Sequence, residues 1–202
     1  RNDETQTWDG SSWSEQSVLN TAASLMAEGG LQTLAIAVGG QQPSAPTIYV
    51  QHEAWDGTSW TETTEMSTGR YGGFAAGPTN ADVLVFGGQN PGTTNVDNVE
   101  KWNGSSWTEV NNLNEGRKYL AGSGNSSLAL AIGGDDGSYV ANVEFWNGSS
   151  WTEINNLGTA TAYTGGSGSA SAGMISGGLA PSLTTKTEEF VATAVVSTIT
   201  TS

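Results

Sequence analysis

Four copies of one six-residue motif constrain this chain more than any other feature. They are residues 8–13 (W-D-G-S-S-W), 55–60 (W-D-G-T-S-W), and 102–107 and 146–151 (both W-N-G-S-S-W). Together they hold all eight tryptophans, and the leading ones stand 47, 47 and 44 residues apart. A fixed period of that size marks a repeat architecture, in which each unit buries its apolar face only against its neighbours.

Alignment on the second tryptophan brings the rest of the unit into phase. Six residues on comes Leu19, Met66, Leu113 or Leu157, and seventeen on comes Gly30, Gly77, Gly124 or Gly168. A glycine pair follows: Gly39–Gly40, Gly87–Gly88, Gly133–Gly134 and Gly177–Gly178. Each unit then reads as four strands. A small-residue strand (73–77, 119–124) precedes an apolar strand (34–38, 83–86, 128–132, 173–176); the third runs into the first tryptophan (142–146), and the fourth starts at the second (151–154). Asn-Gly or Asp-Gly between the last two is the strongest short-range hairpin signal, because these residues accept φ > 0. Twenty-eight glycines and only 13% charged residues agree with short strands and tight turns and oppose a helical protein.

The net charge of −14 opposes sequence-independent binding to nucleic acid or insertion into an anionic membrane surface. The absence of cysteine removes disulfides, thiolate nucleophiles and Cys-ligated metals. No apolar run approaches the ~20 residues of a transmembrane helix, and no signal peptide is visible. The chain begins at Arg1 rather than Met, as expected of a processed product or of part of something longer.

A small-residue strand, an apolar strand ending in Gly-Gly, then an aromatic, a turn and a Trp resembles the kelch repeat of β-propellers. Arg70 and Arg117, ten residues after Trp60 and Trp107, fall where kelch repeats often carry Arg. The five-residue aromatic-to-Trp spacing is shorter than usual in kelch. Four glycine pairs are also fewer than the usual six or seven blades. The resemblance implies an all-β, kelch-like propeller of about four four-stranded blades, or an arc of a larger one. Residues 1–190 form it, and 191–202 are a C-terminal strand or tail. Residues 1–15 supply a third and fourth strand alone, while the last unit lacks a second tryptophan and carries Phe190 at the first. Joining the ends would complete the last blade. Alternatively, 195–201 serves as a substitute fourth strand or is given to a neighbouring chain.

Little in the repeat looks like chemistry. Trp8, Trp13, Trp55, Trp60, Trp102, Trp107, Trp146 and Trp151 are expected to clamp hairpins and fill space between blades, since packing residues keep a repeat's symmetry while binding residues break it. The glycine pairs match no phosphate-binding motif and read as close packing. The single histidine, His52, is placed at a solvated edge and excludes a His-rich metal site or a Ser-His-Asp triad. Copper-radical oxidases on kelch propellers need Tyr, Cys and His ligands that this chain lacks. Glu15, Glu62, Glu109 and Glu153 recur in phase as strand-face residues, not as an opposed carboxylate pair. Asp135-Asp136-Gly137 reads as an acidic turn rather than a Ca²⁺ loop. The sequons at Asn103, Asn125 and Asn147 read as turn chemistry. No catalytic residue, metal or cofactor is expected.

What varies between copies points elsewhere. From the first glycine of each pair to the next aromatic anchor is 16, 15, 13 and 13 residues, so length variation lies in the loop between the second and third strands. That loop shares a rim with the connection into the next blade, and uneven loops on one face are where repeat proteins place recognition. The rim candidates are Gln41, Gln42, Arg70, Tyr71, Gln89, Asn90, Arg117, Tyr119, Asp135 and Asp136. The first expectation is a non-catalytic structural or adhesive component of a virion (phage fibre, tail or head decoration) or cell surface. Its partners would be other chains of an assembly, a homo-oligomer included, or a surface receptor or glycan. The second expectation is a lectin-like propeller, and the third is an enzyme with unrecognised carboxylate chemistry.

Overall fold

The computed structural model describes residues 3–191 apart from Pro43 and Pro46, and every regular element among them is a β-strand. A two-stranded hairpin, β1 (Gln6–Trp8) and β2 (Trp13–Glu15), comes first. Three four-stranded antiparallel sheets follow in sequential order. Blade one is β3 (Ala27–Leu31), β4 (Leu34–Val38), β5 (His52–Trp55) and β6 (Trp60–Glu62). Blade two is β7 (Phe74–Thr79), β8 (Asp82–Phe86), β9 (Val99–Trp102) and β10 (Trp107–Val110). Blade three is β11 (Ala121–Gly124), β12 (Ala129–Ile132), β13 (Val143–Trp146) and β14 (Trp151–Glu153). Blade four has β15 (Gly165–Ser169) and β16 (Ala172–Ser176), then a small hairpin of β17 (Leu179–Ala180) and β18 (Ser182–Leu183), and last β19 (Thr187–Val191) beside β16. The innermost strands β3, β7, β11 and β15 pack side by side in chain order, so the sheets radiate as propeller blades.

The motif builds each hairpin from its own side chains. The Asx carboxyl or amide oxygen accepts the N–H groups two and three residues on: Asp9 from Ser11 (2.7 Å) and Ser12 (2.8 Å), Asn147 from Ser149 and Ser150 (2.9 Å each). These donors hold the exposed Asp9 and Asp56 carboxyls below their usual range. The following glycine takes the positive φ the turn requires, as at Gly148 (95°). Each tryptophan pair then sits directly cross-strand with ring centroids 5.3–5.5 Å apart. Six of the rings are wedges. Trp55, Trp102 and Trp146 are buried and donate their indole N–H to the inner hairpin of their own blade, at Gln32 O, Asn80 O and Ser126 O. The second ring leans on the preceding blade: Trp107 on His52, Trp151 on Phe86.

Trp8 and Trp13 differ, being 44% and 66% exposed. The β1–β2 hairpin stands to blade one as a blade's outer half stands to the next blade. Gln32 Nε2 donates to Trp8 O as Asn80 Nδ2 does to Trp55 O, and Leu19 N to Asp3 O as Met66 N does to Val50 O. Among the described residues no inner strands accompany this hairpin, so its rings lack the cover the other six have. Among the described residues β1 pairs only with β2 and β19 ends its sheet, so no described strand joins the two ends into one blade. Blade four therefore has three strands among the described residues, not four. Residues 192–202, with the substitute strand expected at 195–201, lie outside them.

Candidate functional site

The recurrent carboxylates are where chemistry would be sought first, and the structure uses them as tethers. Two residues before each leading aromatic stands Glu53, Glu100, Glu144 or Glu188, a set the sequence reading passed over in favour of Glu15, Glu62, Glu109 and Glu153. Each accepts N–H groups of the connection that enters its blade. Glu53 takes Asn20 N (2.8 Å) and Thr21 N (2.9 Å), Glu100 takes Ser67 N (2.8 Å), Glu144 takes Asn114 N (2.7 Å), and Glu188 takes Gly158 N (2.7 Å). In blades two and three a guanidinium joins: Arg70 to Glu100 at 2.8 Å and Arg117 to Glu144 at 2.5 Å. Blade one has Ala23 at that position and blade four Thr161. Arg70 and Arg117 are thus not rim groups as expected, but are 1% and 0% exposed between blades. Burial pulls the Arg70 guanidinium down from its ordinary value, and the facing Glu100 opposes that.

His52 also departs from expectation. It starts β5, a strand covered by β6, and is 1% exposed rather than at a solvated edge. Its ring stands edge-on to Trp102 (centroids 4.5 Å apart) and Trp107 (5.3 Å), with Nδ1 2.7 Å from Thr63 Oγ1. Burial lowers its pKa to about 4 from 6.5. Between these values the unfolded chain binds the proton and the fold does not, so the stability present above pH 6.5 is lost as pH falls toward 4. By linkage that is roughly 2–3 kcal/mol at pH 4.5. His52→Val, the residue at the equivalent positions 99 and 143, should remove this component. Urea unfolding of both proteins at pH 7 and 4.5 checks it: their stability difference must change with pH, and a constant difference would refute the assignment.

The rim gathers the remaining candidates. In every blade the residue eleven after the second tryptophan exchanges two backbone hydrogen bonds with the residue following the glycine pair: Ser24 with Gln41, Tyr71 with Gln89, Lys118 with Asp135, Ala162 with Leu179. The next residue is left-handed throughout: Leu25 (57°), Gly72 (65°), Tyr119 (54°), Tyr163 (58°). Their backbones link blade to blade, Gly72 N to Leu25 O (2.8 Å), Tyr119 N to Gly72 O (2.6 Å) and Tyr163 N to Tyr119 O (2.9 Å). A left-handed tyrosine costs about 1–3 kcal/mol relative to glycine.

On this arc the rings of Tyr119 and Tyr163 stack at 4.0 Å and 21°, with Tyr71 6.1 Å from Tyr119. Burial and hydrogen bonding to Tyr163 and Tyr71 raise the Tyr119 phenol above its usual range. Tyr71 Oη donates to Gln89 Oε1. Gln89 Nε2 donates to Asn95 Oδ1 (3.1 Å), and Asn95 Nδ2 reaches Asp135 O in the next blade (2.9 Å). Lys118 Nζ lies 5.2 Å from the Tyr119 ring centre. An open cleft of about 730 Å³ adjoins, lined by Gln89, Thr94, Asn95, Lys118, Asp135 and Asp136 among others.

The structure therefore brings together Tyr71, Gln89, Tyr119, Asp135 and Asp136. Asn90 is close by but caps its own loop, accepting from Gly92 N and Thr94 N. Gln41 and Gln42 lie on the same rim one blade away, paired with Ser24 and Thr47. The Asp135 and Asp136 carboxylates cap the turn through Gly137 N and Ser138 N, as the acidic-turn reading anticipated. Tyr163 was missed, although it stands in phase with Tyr119.

A second cleft, about 240 Å³, lies between blades three and four against Ile132, Val143, Leu157, Ile175 and Phe190. Ile132 follows in phase on Phe86, and Val143 on His52, the two side chains that receive the wedge of the following blade's second tryptophan. Blade four has no second tryptophan, so among the described residues this cleft is a wedge position with no ring in it.

No protein-family model matches the chain, and neither does any curated protein. Among solved structures 179 chains match. One, titled "Structure of YjhT", superposes with a TM-score of 0.75 over 91% of this chain and 71% of that chain, at 13% sequence identity. A likeness at that identity shows a shared fold and nothing more.

Proposed function

We propose that this chain is a non-catalytic structural or adhesive module, kelch-like in its repeat, of a virion or a cell surface, binding through the loops of one propeller rim. One observation carries the reading. The side chains kept in every copy serve packing, turn capping or tethering of a connection, whereas Tyr71, Gln89, Asn95, Lys118, Tyr119, Asp135 and Tyr163, at positions that are not filled alike in all four blades, meet on one rim. A carboxylate with two or three donors is poorly placed to act as a general acid or base, which weighs against hydrolysis by the repeated glutamates. The acidic, cysteine-free surface suits an exposed particle in a salty medium, where screening limits self-repulsion. Light scattering on the purified chain, with electron microscopy of the native particle, tests this. The expected result is a multi-chain assembly or a chain arrayed on a surface. A monomer that attaches to no particle, cell or glycan would refute it, as would turnover of a substrate.

A further inference from the structure

Resting on that rim-binding reading, we infer that the tyrosine arc and its cleft form a site for a neutral saccharide, with a pyranose seated on the ring of Tyr163. The arc is built at the expense of backbone comfort. Tyr119 and Tyr163 hold left-handed φ at a position where blade two has Gly72, so the connection itself needs no side chain there. A bulky aromatic kept in such a conformation points to a use for the ring. The rings also tile in one direction. The Tyr119 ring lies over Gly72, where an added Cβ would meet it at 2.8 Å, and the Tyr163 ring lies over Tyr119 at 4.0 Å. The last tile, Tyr163, is 46% exposed, an apolar platform at the end of the row.

The cleft that meets the arc through Lys118, near the Tyr119 ring, and Asp135, whose charge acts on the Tyr163 phenol, decides the ligand class. Gln89, Thr93, Thr94, Asn95, Asp97, Lys118, Asp135 and Asp136 line it with two glycines, so no apolar side chain is available to a hydrophobic ligand. Three aspartates and one lysine are among the lining residues, a negative balance that disfavours phosphates and acidic sugars. The amides are already ordered by the Tyr71–Gln89–Asn95–Asp135 chain of hydrogen bonds, so little conformational freedom is lost when hydroxyls approach. A ligand with one C–H face and hydroxyls around its edge matches a flat aromatic next to such a wall. Lys118 joins the two parts, lining the cleft and approaching the Tyr119 ring.

An array of neutral and acidic oligosaccharides, followed by calorimetric titration of the best neutral hit, tests the site. Wild type should bind neutral glycans. Tyr163→Gly should keep or raise the melting temperature, because glycine relieves the left-handed φ, yet weaken binding roughly tenfold or more. Tyr163→Phe should retain it. A ring needed only for packing would instead lower the melting temperature without a separate effect on binding. Binding unchanged in Tyr163→Gly would overturn the site while leaving rim recognition standing. Hits confined to acidic glycans would overturn the ligand class. An empty array would overturn the saccharide proposal, and the assembly measurement above would still decide the module reading by itself.

Discussion

Glu100→Ala is expected to destabilise the protein by about 3–5 kcal/mol, the range for removing one partner of a buried ion pair. Arg70 would remain 1% exposed without its carboxylate, holding only carbonyl partners at Gly87, Asn98 and Thr68. Ser67 N and Thr68 N would lose their acceptor as well. Glu53→Ala supplies the control. It strips the same kind of acceptor from Asn20 N and Thr21 N but strands no guanidinium, since Ala23 stands at that position. Its loss should be about 1–3 kcal/mol, the desolvation penalty of unmet donors. The double variant Arg70→Ala/Glu100→Ala should be no less stable than Glu100→Ala alone, because the stranded charge has gone. Urea unfolding of the four proteins at neutral pH measures all of these. A Glu53→Ala loss equal to that of Glu100→Ala would mean that the ion pair is not what makes Glu100 expensive to remove.

These glutamates also show where the sequence was legible and where it was not. Hairpins, glycine pairs and strand order could be read because the same backbone problem recurs in each blade and admits few residue types. Glutamates recur at two phases, and recurrence alone does not say which faces inward. β9 answers it: its pattern of Val99 and Glu100 buried, Lys101 half-buried and Trp102 buried puts the charge among apolar neighbours, where it must be paired. Glu109, one strand further out, is exposed and takes Asn98 Nδ2. His52 misled for a related reason. A polar residue at the start of a strand reads as solvated, and only the rings of the next blade reveal that it is covered. Half of the rim cluster was legible from loop length. Tyr163 was not: it repeats only Tyr119, while Leu25 and Gly72 hold that position in the first two blades, and the left-handed φ that links the four exists only in the folded chain.

Gly133→Ala and Gly177→Ala should part sharply, although the two residues are equivalent in the repeat. Both are first of a glycine pair after an apolar strand, with φ of 59° and 69°. Alanine at either meets the left-handed penalty, about 1–2 kcal/mol. At Gly177 little else happens, because among the described residues the nearest atom to an added Cβ is Thr184 O at 4.0 Å. At Gly133 the Cβ would stand 2.5 Å from Thr161 O, a backbone carbonyl of the connection into blade four. That carbonyl cannot retreat freely, since it accepts Gly134 N at 2.9 Å. Blades three and four would have to separate, and the combined loss should reach about 4 kcal/mol or more. Gly39 and Gly87 face Arg70 O at 2.4 Å and Arg117 O at 2.7 Å in the same way and should behave like Gly133. The glycine is therefore demanded by the neighbouring blade as much as by its own turn, and its price in stability reports whether a neighbour is there. Thermal and urea unfolding of the four alanine variants would read that series directly. Three large losses and one small one match a fourth blade with an open face, whereas an equally large loss at Gly177 would mean that this face of blade four is covered in solution by something outside the described residues.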